Sequence, residues 1–446
     1  MPCIKIRVKI TVAAKMTFNL FEPQRFLKNA LLTHPCGFSA AQILAHAFNA
    51  VEPGLAVKKY LRETPLPFGK RKFAFGLGKA SCLMMNALAD ETSLKDSLVI
   101  TKHASPLTFE PVTVIEGNHP VPGSGSLQAG TATIEFLSQL TSDDLLVCLI
   151  SGGGSALMTA PQVPLADLQA FTTAMLACGA RIDEINTLRR HLDSLKGGGL
   201  ARLAGGAQVA SLLLSDVVGD SLEAIASGPT VPDPTTLADS ISIIEKYDLR
   251  DKIPASIIPA LTETLKPNDS AFEKVQNSVI ASNYIALQAA QSQAESLGFQ
   301  TKIISTVLQG EASELGKELA AQLKESLQTM QRPFCLLAGG EATVIIKGTG
   351  KGGRNQEIVL SAVDVLAGLP NVLFISIATD GEDGPTDAAG AFVTGETAKA
   401  AELLGLFAAD YLLNNDAYSF FEQIDHLIKI GPSGTNVNDL VICFAF

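Results

Sequence analysis

The sequence predicts an α/β protein with two domains: a larger Rossmann-like N-terminal domain on a parallel sheet and a smaller α/β C-terminal domain. Apolar runs of strand length alternate with longer segments of helical spacing from end to end, which is the pattern of parallel βαβ units. Several runs are followed by a polar or glycine-rich turn and then a helix, so ligand-binding loops are expected at the carboxyl ends of the strands. With 446 residues, of which 47% are hydrophobic, the chain can bury more than one core.

The individual elements follow from the length and period of the apolar segments. Short apolar runs predict the strands Arg71–Gly76, Val112–Glu116, Asp144–Ile150, Ala207–Leu214, Ser278–Ala281, Thr301–Ile304, Cys335–Ala338 and Val372–Ala378. Longer segments of helical spacing predict the helices Glu22–Leu32, Ala40–Val51, Ala80–Ala89, Gly125–Leu140, Leu165–Ala177, Ile182–Leu195, Thr235–Tyr247, Tyr284–Leu297, Ser313–Thr329, Asn355–Leu366 and Thr394–Leu404.

A domain boundary is predicted at Lys266–Ser270, where Lys-Pro-Asn-Asp-Ser follows a stretch punctuated by prolines and precedes a new strand–helix rhythm. The N-terminal domain is therefore expected at residues 17–265 and the C-terminal domain at 271–446. Residues 1–16 are interpreted as an extension or a first strand. The cleft between two such domains is where we expect a small ligand.

Charge and cysteine content narrow the class of protein. The net charge is −11, with 34 Lys and Arg against 45 Asp and Glu, which argues against a nucleic-acid surface. The seven cysteines are widely spaced without a C-x-x-C pair, which is typical of core thiols in a reducing compartment. Charges interrupt the apolar residues near the N-terminus, so no membrane span is predicted there. These features favour a cytoplasmic protein that acts on small molecules. A monomer or homodimer is expected, although charge and cysteine content do not distinguish the two.

Three glycine-rich loops suggest a phosphoryl-transfer site. They are GLGKAS at Gly76–Ser81, SGGGSALMTAP at Ser151–Pro161, and GTGKGG at Gly348–Gly353, which follows two apolar β-rich runs and precedes a helix. Glycines let backbone N–H groups turn toward an anion, and a helix N-terminus adds its dipole. For Gly76–Ser81, an ordinary strand-to-helix turn with a solvated Lys79 is an equally good interpretation.

The residues of the second loop are the strongest of these anion-binding candidates. Three consecutive glycines after a buried strand weaken the fold unless a ligand approaches the backbone closely. The loop is therefore predicted to bind a carboxylate or phosphate through Ser151, Gly152, Gly153, Gly154 and Ser155.

Other cationic candidates are weaker. Arg189, His191 and Lys196 lie on or just after one predicted helix and are placed to reach a phosphate, but a solvated helical face explains them as well. His119, in the proline-rich loop GNHPVPG, either faces a substrate or is a structural histidine.

Acidic loops complement the cationic ones. Carboxylates gathered at strand ends are a usual means of holding Mg²⁺, which bridges nucleotide phosphates. The alternative is that these residues form turns and helix caps. The acidic residues that follow two predicted strands are Asp216, Asp220, Asp380, Glu382, Asp383 and Asp387. Of these, Asp220 and Asp380 are predicted to be the functional ones.

Together, eight ordered motifs resemble those of the type 2 glycerate kinases, a two-domain family with a C-terminal MOFRL domain. The resemblance runs from about residue 20 to the end of the chain. The motifs are GLGKAS, NHPVPGSGSLQAG, LISGGGSALMTAP, INTLRRHLDSLKGGGLA, LLLSDVVGDSLEAIASGPTVPDP, LLAGGEATVIIKGTGKGGRNQE, ATDGEDGPTDAAGA and GPSGTNVNDLVI.

The resemblance implies transfer of the γ-phosphoryl group of ATP, with Mg²⁺, to the 2-hydroxyl of D-glycerate. It assigns catalysis to Lys79, Arg354 and Asp380 of the TDG motif. Lys79 and Arg354 are expected to face the same phosphate, and Asp380, like Asp220, is expected to act on Mg²⁺ or on the substrate hydroxyl. Glu341, of the GGE motif, and Lys196, of the KGG segment, join the expected binding residues. Two other functions stay open: an NAD(P)-dependent hydroxypyruvate reductase and a non-catalytic sensor of sugar acids or nucleotides.

Overall fold

The computed structural model describes residues 20–446, so the predicted extension or first strand at 1–16 lies outside the described residues. The described residues form two compact units. The first contains Pro53–Ser215 and Asp220–Ile280, and the second contains 20–52, Asp216–Gly219 and Ala281–Phe446. Within the described chain, no helix is both long enough and apolar enough to span a bilayer.

The strands form two six-stranded sheets. In chain order they are β1 Lys72–Leu77, β2 Asp96–Thr101, β3 Thr113–Glu116, β4 Leu145–Ile150, β5 Gln208–Leu214, β6 Val275–Ala281, β7 Gln300–Leu308, β8 Phe334–Gly340, β9 Val372–Ala378, β10 Gly390–Thr394, β11 Leu427–Ile428 and β12 Asp439–Ala445.

Sixteen α-helices are assigned in residues 20–446. They are α1 Gly37–Ala50, α2 Pro53–Glu63, α3 Ser81–Glu91, α4 Ser124–Leu137, α5 Gly154–Leu157, α6 Leu165–Ala177, α7 Ile182–His191, α8 Gly199–Leu203, α9 Leu237–Lys246, α10 Ile257–Ala260, α11 Asn283–Ser296, α12 Ala312–Thr329, α13 Arg354–Leu366, α14 Thr397–Glu402, α15 Ala408–Leu413 and α16 Ala417–Gln423.

The first sheet confirms the predicted parallel α/β architecture. Its order is β3-β2-β1-β4-β5-β6, and β1 to β5 pair in parallel. The strands at its centre are apolar because both faces are covered; all six residues of β4 are buried. Helices α6, α7, α9 and α10 build a separate apolar core around Phe171, Leu188 and Ile257.

The second sheet is mixed, with the order β11-β10-β9-β12-β8-β7. β7 pairs with β8 in parallel, whereas β12 runs antiparallel to both β8 and β9. Helices α12 and α13 pack against each other and contribute to an apolar core that includes Leu319, Val359 and Phe374.

The segment 20–52 belongs to the second unit, whereas the sequence predicted it within the domain 17–265. Helix α1 packs on α11, and the Thr435 hydroxyl donates to the carbonyl of Val51 at 2.8 Å. The amphipathic pattern of α1 shows that one face is buried but not which sheet buries it. The boundary at Lys266–Ser270 also differs from the division after Ile280.

Several predicted elements need correction. Glu22–Leu32 is not one helix: it contains a 3-10 turn at Pro23–Phe26 and most of a second one at Ala30–Thr33. The helix predicted at Ile182–Leu195 ends at His191. The second β-rich run after Cys335 is not a strand, since Thr343 makes only a single bridge, to Glu311. The prediction omitted β2, β10, β11 and β12.

Core cysteines are confirmed for the described part of the chain. Five of its six thiols are buried, Cys178 is half-buried, and all six are free.

Candidate active site

The loops after β1 and β4 lie side by side because these two strands are neighbours in the parallel sheet. The Lys79 N–H donates to the carbonyl of Gly152 at 3.0 Å, and the Ala80 N–H donates to Ser151 Oγ at 3.0 Å. Gly78 has a φ of +117°, and a Cβ there would lie 2.3 Å from the Ser151 carbonyl oxygen. Glycine at this position therefore permits the contact between the two loops.

The backbone of the Gly76–Ser81 loop does not form the expected anion-binding nest. The N–H groups of Gly78, Lys79 and Ala80 all donate within the protein, to the Ile100 carbonyl and to the Ser151–Gly152 segment. In contrast, within residues 20–446 the N–H groups of Gly152 and Gly153 donate to no protein acceptor. Of these two loops, Ser151–Ser155 is therefore the one with available backbone donors.

The Lys79 side chain is exposed and forms no ion pair with any side chain of the described chain. A Cβ built on Gly153 would lie 3.5 Å from Lys79 Cε and 3.3 Å from His119 Cδ2, so the three residues converge. Burial, and then the charges of Lys79 and Lys102, lower the pKa of His119. His119 is therefore uncharged at neutral pH, and its ring is suited to a hydrogen bond with a hydroxyl.

Ser155, Arg189 and Lys196 line one small cavity beside this cluster. Lys196, however, is buried and already paired: its ammonium lies 2.6 Å from Asp193 Oδ2 and 3.1 Å from the Met158 carbonyl. Burial lowers the pKa of Lys196. The charge of Lys196 is therefore balanced by Asp193, and the expected contact between Lys196 and a phosphate stays a prediction.

His191, which the sequence grouped with Arg189 and Lys196 as a possible phosphate ligand, has a structural role. It is fully buried, and its Nδ1 lies 2.7 Å from the Thr262 carbonyl. Its neighbour Arg190 pairs with the buried Asp233 at 3.0 Å. These contacts tie α7 to the segment before β6.

Arg354 is the first residue of α13, and its guanidinium forms ion pairs with two carboxylates. Its Nε and one terminal nitrogen lie 2.6 and 3.0 Å from the two oxygens of Asp439, and the other terminal nitrogen lies 3.1 Å from Glu341 Oε1. Asp439 is only 3% exposed. Burial lowers the pKa of Arg354, but the Asp439 carboxylate outweighs burial and raises it overall. The pair fixes the guanidinium in one orientation.

Asp383 caps the helix that carries Arg354. It accepts from the N–H groups of Asn355 at 3.1 Å and Gln356 at 2.8 Å, and the Asn355 amide also donates to Asp439 at 2.9 Å. Burial raises the pKa of Asp383 to about 6, despite these donors. The role of Asp383 is thus to hold the start of α13.

Asp439 was not singled out from the sequence. The available signal was a carboxylate opening an otherwise apolar strand, β12, since a buried acid normally needs a partner. The sequence does not show that the partner is Arg354, which lies 85 positions away.

The GTGKGG loop is bound to its own chain. The N–H groups of Lys347 and Gly348 donate to Asn415 Oδ1 at 2.7 and 3.0 Å, and those of the next three residues donate to Asn414 and Asp416. A Cβ on Gly348 would lie 2.4 Å from the Asn414 carbonyl oxygen. The N–H groups of 347–351 are therefore not available to an anion, and the glycines allow close packing on 414–416. Within residues 20–446 the N–H groups of Gly352 and Gly353 donate to no protein acceptor, so the expected anion binding by this loop stays a prediction for those two residues.

The two predicted metal ligands lie in different units. Asp220 is half-buried with a φ of +54°, and Asp380, also half-buried, accepts the Glu382 N–H at 3.1 Å. Residues 20–446 contain no group of three His, Cys, Asp or Glu side chains arranged to hold a metal. Mg²⁺ bound to nucleotide needs only one or two protein carboxylates, so single residues such as these fit that mode.

Comparison with known proteins identifies the family. The MOFRL family model matches residues 334–439, and a domain of unknown function, DUF4147, matches 39–262. A glycerate 2-kinase of Pyrococcus horikoshii is 40% identical over 83% of this chain and 86% of its own length. A D-glycerate 2-kinase of Thermotoga maritima is 37% identical over 95% and 99%.

This chain belongs to the glycerate 2-kinase family. The crystal structure of a glycerate kinase from Thermotoga maritima superposes with a TM-score of 0.86 at 38% identity, covering 92% of this chain and 99% of that one. The family inferred from the eight motifs and the α/β fold class predicted from the alternation of strand and helix patterns are thereby confirmed.

Proposed function

We propose that this protein transfers the γ-phosphoryl group of ATP to the 2-hydroxyl of D-glycerate, giving 2-phospho-D-glycerate and ADP. Its membership of the glycerate 2-kinase family supports ATP-dependent phosphorylation of glycerate. The assignment of residues and of the 2-hydroxyl is our inference. The cytoplasmic location and the monomeric or homodimeric state stay predictions.

The observation that carries the assignment is the cluster of Lys79, His119 and the Ser151–Ser155 loop. It combines an exposed cation without an ion-pair partner in the described chain, an uncharged imidazole and two N–H groups without a protein acceptor there. Phosphoryl transfer needs charge neutralisation on phosphate oxygens and accurate positioning of the attacking oxygen. In this proposal Lys79 neutralises the transferring phosphate, and Gly152 and Gly153 bind an anionic oxygen of the substrates.

Arg354 supplies the second cation. The bidentate contact with Asp439 orients its guanidinium before any ligand binds, and preorganised charge is more effective than charge that must be reoriented. Glu341 sits on the remaining terminal nitrogen with 45% of its side chain exposed, so a phosphate oxygen has a route to displace it. Glu341 is thus an orienting partner of Arg354 rather than a group that binds phosphate itself.

Mg²⁺ is proposed as the companion of ATP, with Asp380 and Asp220 as the protein carboxylates. When bound, the ion supplies charge neutralisation on the nucleotide phosphates. Asp380 is half-buried with one oxygen used in a local turn, which leaves the other for a ligand.

The backbone hydrogen bonds of the turn after β1 argue against the NAD(P)-dependent reductase. A dinucleotide fold needs free N–H groups in the first strand-to-helix turn to bind pyrophosphate. In this protein the turn after β1 donates those groups to Ile100, Ser151 and Gly152.

A set of parallel assays on the purified protein separates the candidate functions. ADP release from ATP with D-glycerate is expected, with 2-phosphoglycerate as the initial product by phosphorus NMR. Oxidation of NAD(P)H with hydroxypyruvate would favour the reductase, and binding of both substrates without turnover would favour a sensor. Initial formation of 3-phosphoglycerate would contradict the proposed regiochemistry.

A further inference from the structure

Arg189, on α7, is a half-buried cation that has no partner in the described chain. Within residues 20–446 its guanidinium forms neither a hydrogen bond nor an ion pair, and burial lowers its pKa. The next residue on the helix, Arg190, is satisfied by an ion pair with Asp233 at 3.0 Å. A charge that is removed from water without a counterion costs free energy. A bound anion would remove that cost at Arg189.

Two loops of the proposed active site help to form the cavity that Arg189 lines. Pro122 belongs to the GNHPVPG loop and follows His119 by three positions. Ser155 is the last residue of the Ser151–Ser155 loop. The cavity holds little more than one water-sized group, so it fits one end of a small molecule and not a nucleotide. Arg189 is thus placed to bind the end of a substrate that these loops hold.

The charges of the cavity favour a ligand with a single negative charge. The other charged side chains that line it are Asp193 and Lys196, which pair at 2.6 Å and are each 3% exposed. Asp193 also accepts from the Thr159 hydroxyl at 2.6 Å and from the Ala160 N–H at 3.0 Å. Because this pair is neutral as a whole, Arg189 leaves the cavity with one uncompensated positive charge. A carboxylate carries one negative charge at neutral pH, whereas a terminal phosphate carries about two.

We propose that Arg189 binds the carboxylate of D-glycerate and thereby selects a hydroxy acid over an uncharged polyol. The proposal rests on the proposed function, since it names the group that holds that substrate. A guanidinium presents two parallel N–H donors, which match the two oxygens of a carboxylate. The carboxylate is then held by a cation other than Lys79, which neutralises the transferring phosphate.

Isothermal titration calorimetry of D-glycerate with the full-length protein tests the proposal without requiring turnover. Arg189→Ala should raise the Kd for D-glycerate by about 10- to 100-fold, because hydrogen bonds to a charged group are lost. The KM for D-glycerate should rise by a similar factor, whereas the Kd and KM for ATP should stay within about twofold of the wild type. Arg189→Lys keeps the charge but not the planar pair of donors, so it should give an intermediate Kd.

Glyceramide, in which a neutral amide replaces the carboxylate, isolates the group that Arg189 contacts. The wild type should bind glyceramide about as weakly as Arg189→Ala binds D-glycerate, and Arg189→Ala should not weaken glyceramide binding further. Equal weakening of both ligands by Arg189→Ala would show a general effect on the site and would overturn the proposal.

Arg181→Ala is the matched control, because Arg181 precedes the same helix, is exposed and pairs with Asp183 at 2.7 Å. It should bind D-glycerate as the wild type does. An unchanged Kd and KM for D-glycerate in Arg189→Ala would contradict the proposal, and so would weaker binding of ATP alone, which would place Arg189 at a phosphate. If Arg189→Ala does not fold, Arg189→Gln keeps a polar side chain without the charge and should show the same loss. Binding of D-glycerate that depends on Arg189, in a protein that releases no ADP, would count against the proposed function alone.

Discussion

Lys79 and Arg354 both lie at the start of a helix beside a glycine-rich loop, yet their surroundings differ. The Lys79 ammonium is exposed and forms no ion pair with a described residue, whereas its backbone is fixed by the Ser151–Gly152 segment. The Arg354 side chain is itself fixed, by a buried carboxylate and by Glu341. At Lys79 hydrogen bonds fix the backbone of the loop, whereas at Arg354 ion pairs fix the charged side chain. Similar sequence signals therefore lead to different consequences for stability.

Arg354→Ala should have the largest effect, because it removes a cation that we propose acts in catalysis and also leaves the buried Asp439 carboxylate without its ion-pair partner. We expect kcat to fall by on the order of 10²-fold or more and the free energy of unfolding to fall by about 2–4 kcal/mol. This corrects the expectation from sequence that the residue can be removed with little loss of stability. Denaturant unfolding with an unchanged midpoint would show that the pair does not stabilise the fold.

Lys79→Ala should lower kcat by a similar factor, on the order of 10²-fold or more, with a change in unfolding free energy within about 0.5 kcal/mol. The side chain is exposed and forms no ion pair in residues 20–446, so its removal leaves no buried charge without a partner. Lys95→Ala, an exposed lysine beside the amino end of β2, is the matched control and should retain full activity. Equal losses in both variants would remove the specific role of Lys79.

Adding Asp439→Asn to Arg354→Ala should separate stability from catalysis. An amide at 439 keeps its contact with Asn355 and carries no charge, so about 1–3 kcal/mol of unfolding free energy should return. Activity should stay low because the cation is still missing. Recovery of both stability and activity, or of neither, would show that the structural and catalytic roles proposed for Arg354 cannot be separated in this way.

Asp380→Asn should have the smallest effect. We expect the Mg²⁺ concentration for half-maximal activity to rise by about tenfold, with unchanged stability, because the residue lies in a half-buried turn. Glu382→Gln, an exposed acid two positions away, should not change the Mg²⁺ dependence. Full activity of the wild type in excess EDTA would exclude the metal assignment altogether.

The sequence was sufficient for features with a local signature. Periodicity placed β9 at Val372–Ala378 and α6 at Leu165–Ala177, with the bounds that the structure has. Glycine-rich motifs located the loops around Lys79 and Arg354. These signals are local because each depends on neighbouring residues along the chain.

What the sequence could not provide were the partners of those loops. Free glycine N–H groups and satisfied ones have the same sequence pattern, so the difference between Gly152 and Gly348 required the fold. Asp439 and Asn415 act on residues 58 to 85 positions away. Such pairings depend on strand order and helix packing rather than on local spacing.

The central proposal, that Lys79 and Arg354 act on the same transferring phosphate, is tested most directly by a double-mutant cycle on kcat/KM. The four proteins are the wild type, Lys79→Ala, Arg354→Ala and the double variant, each checked for folding by its denaturant transition. Asp439 is kept in all four because it orients Arg354. The effects of mutating residues that act as a unit are non-additive. The kcat/KM of the double variant should therefore be at most about tenfold below that of the less active single variant. Losses that multiply, so that the double variant falls by the product of the two single effects, would contradict the claim.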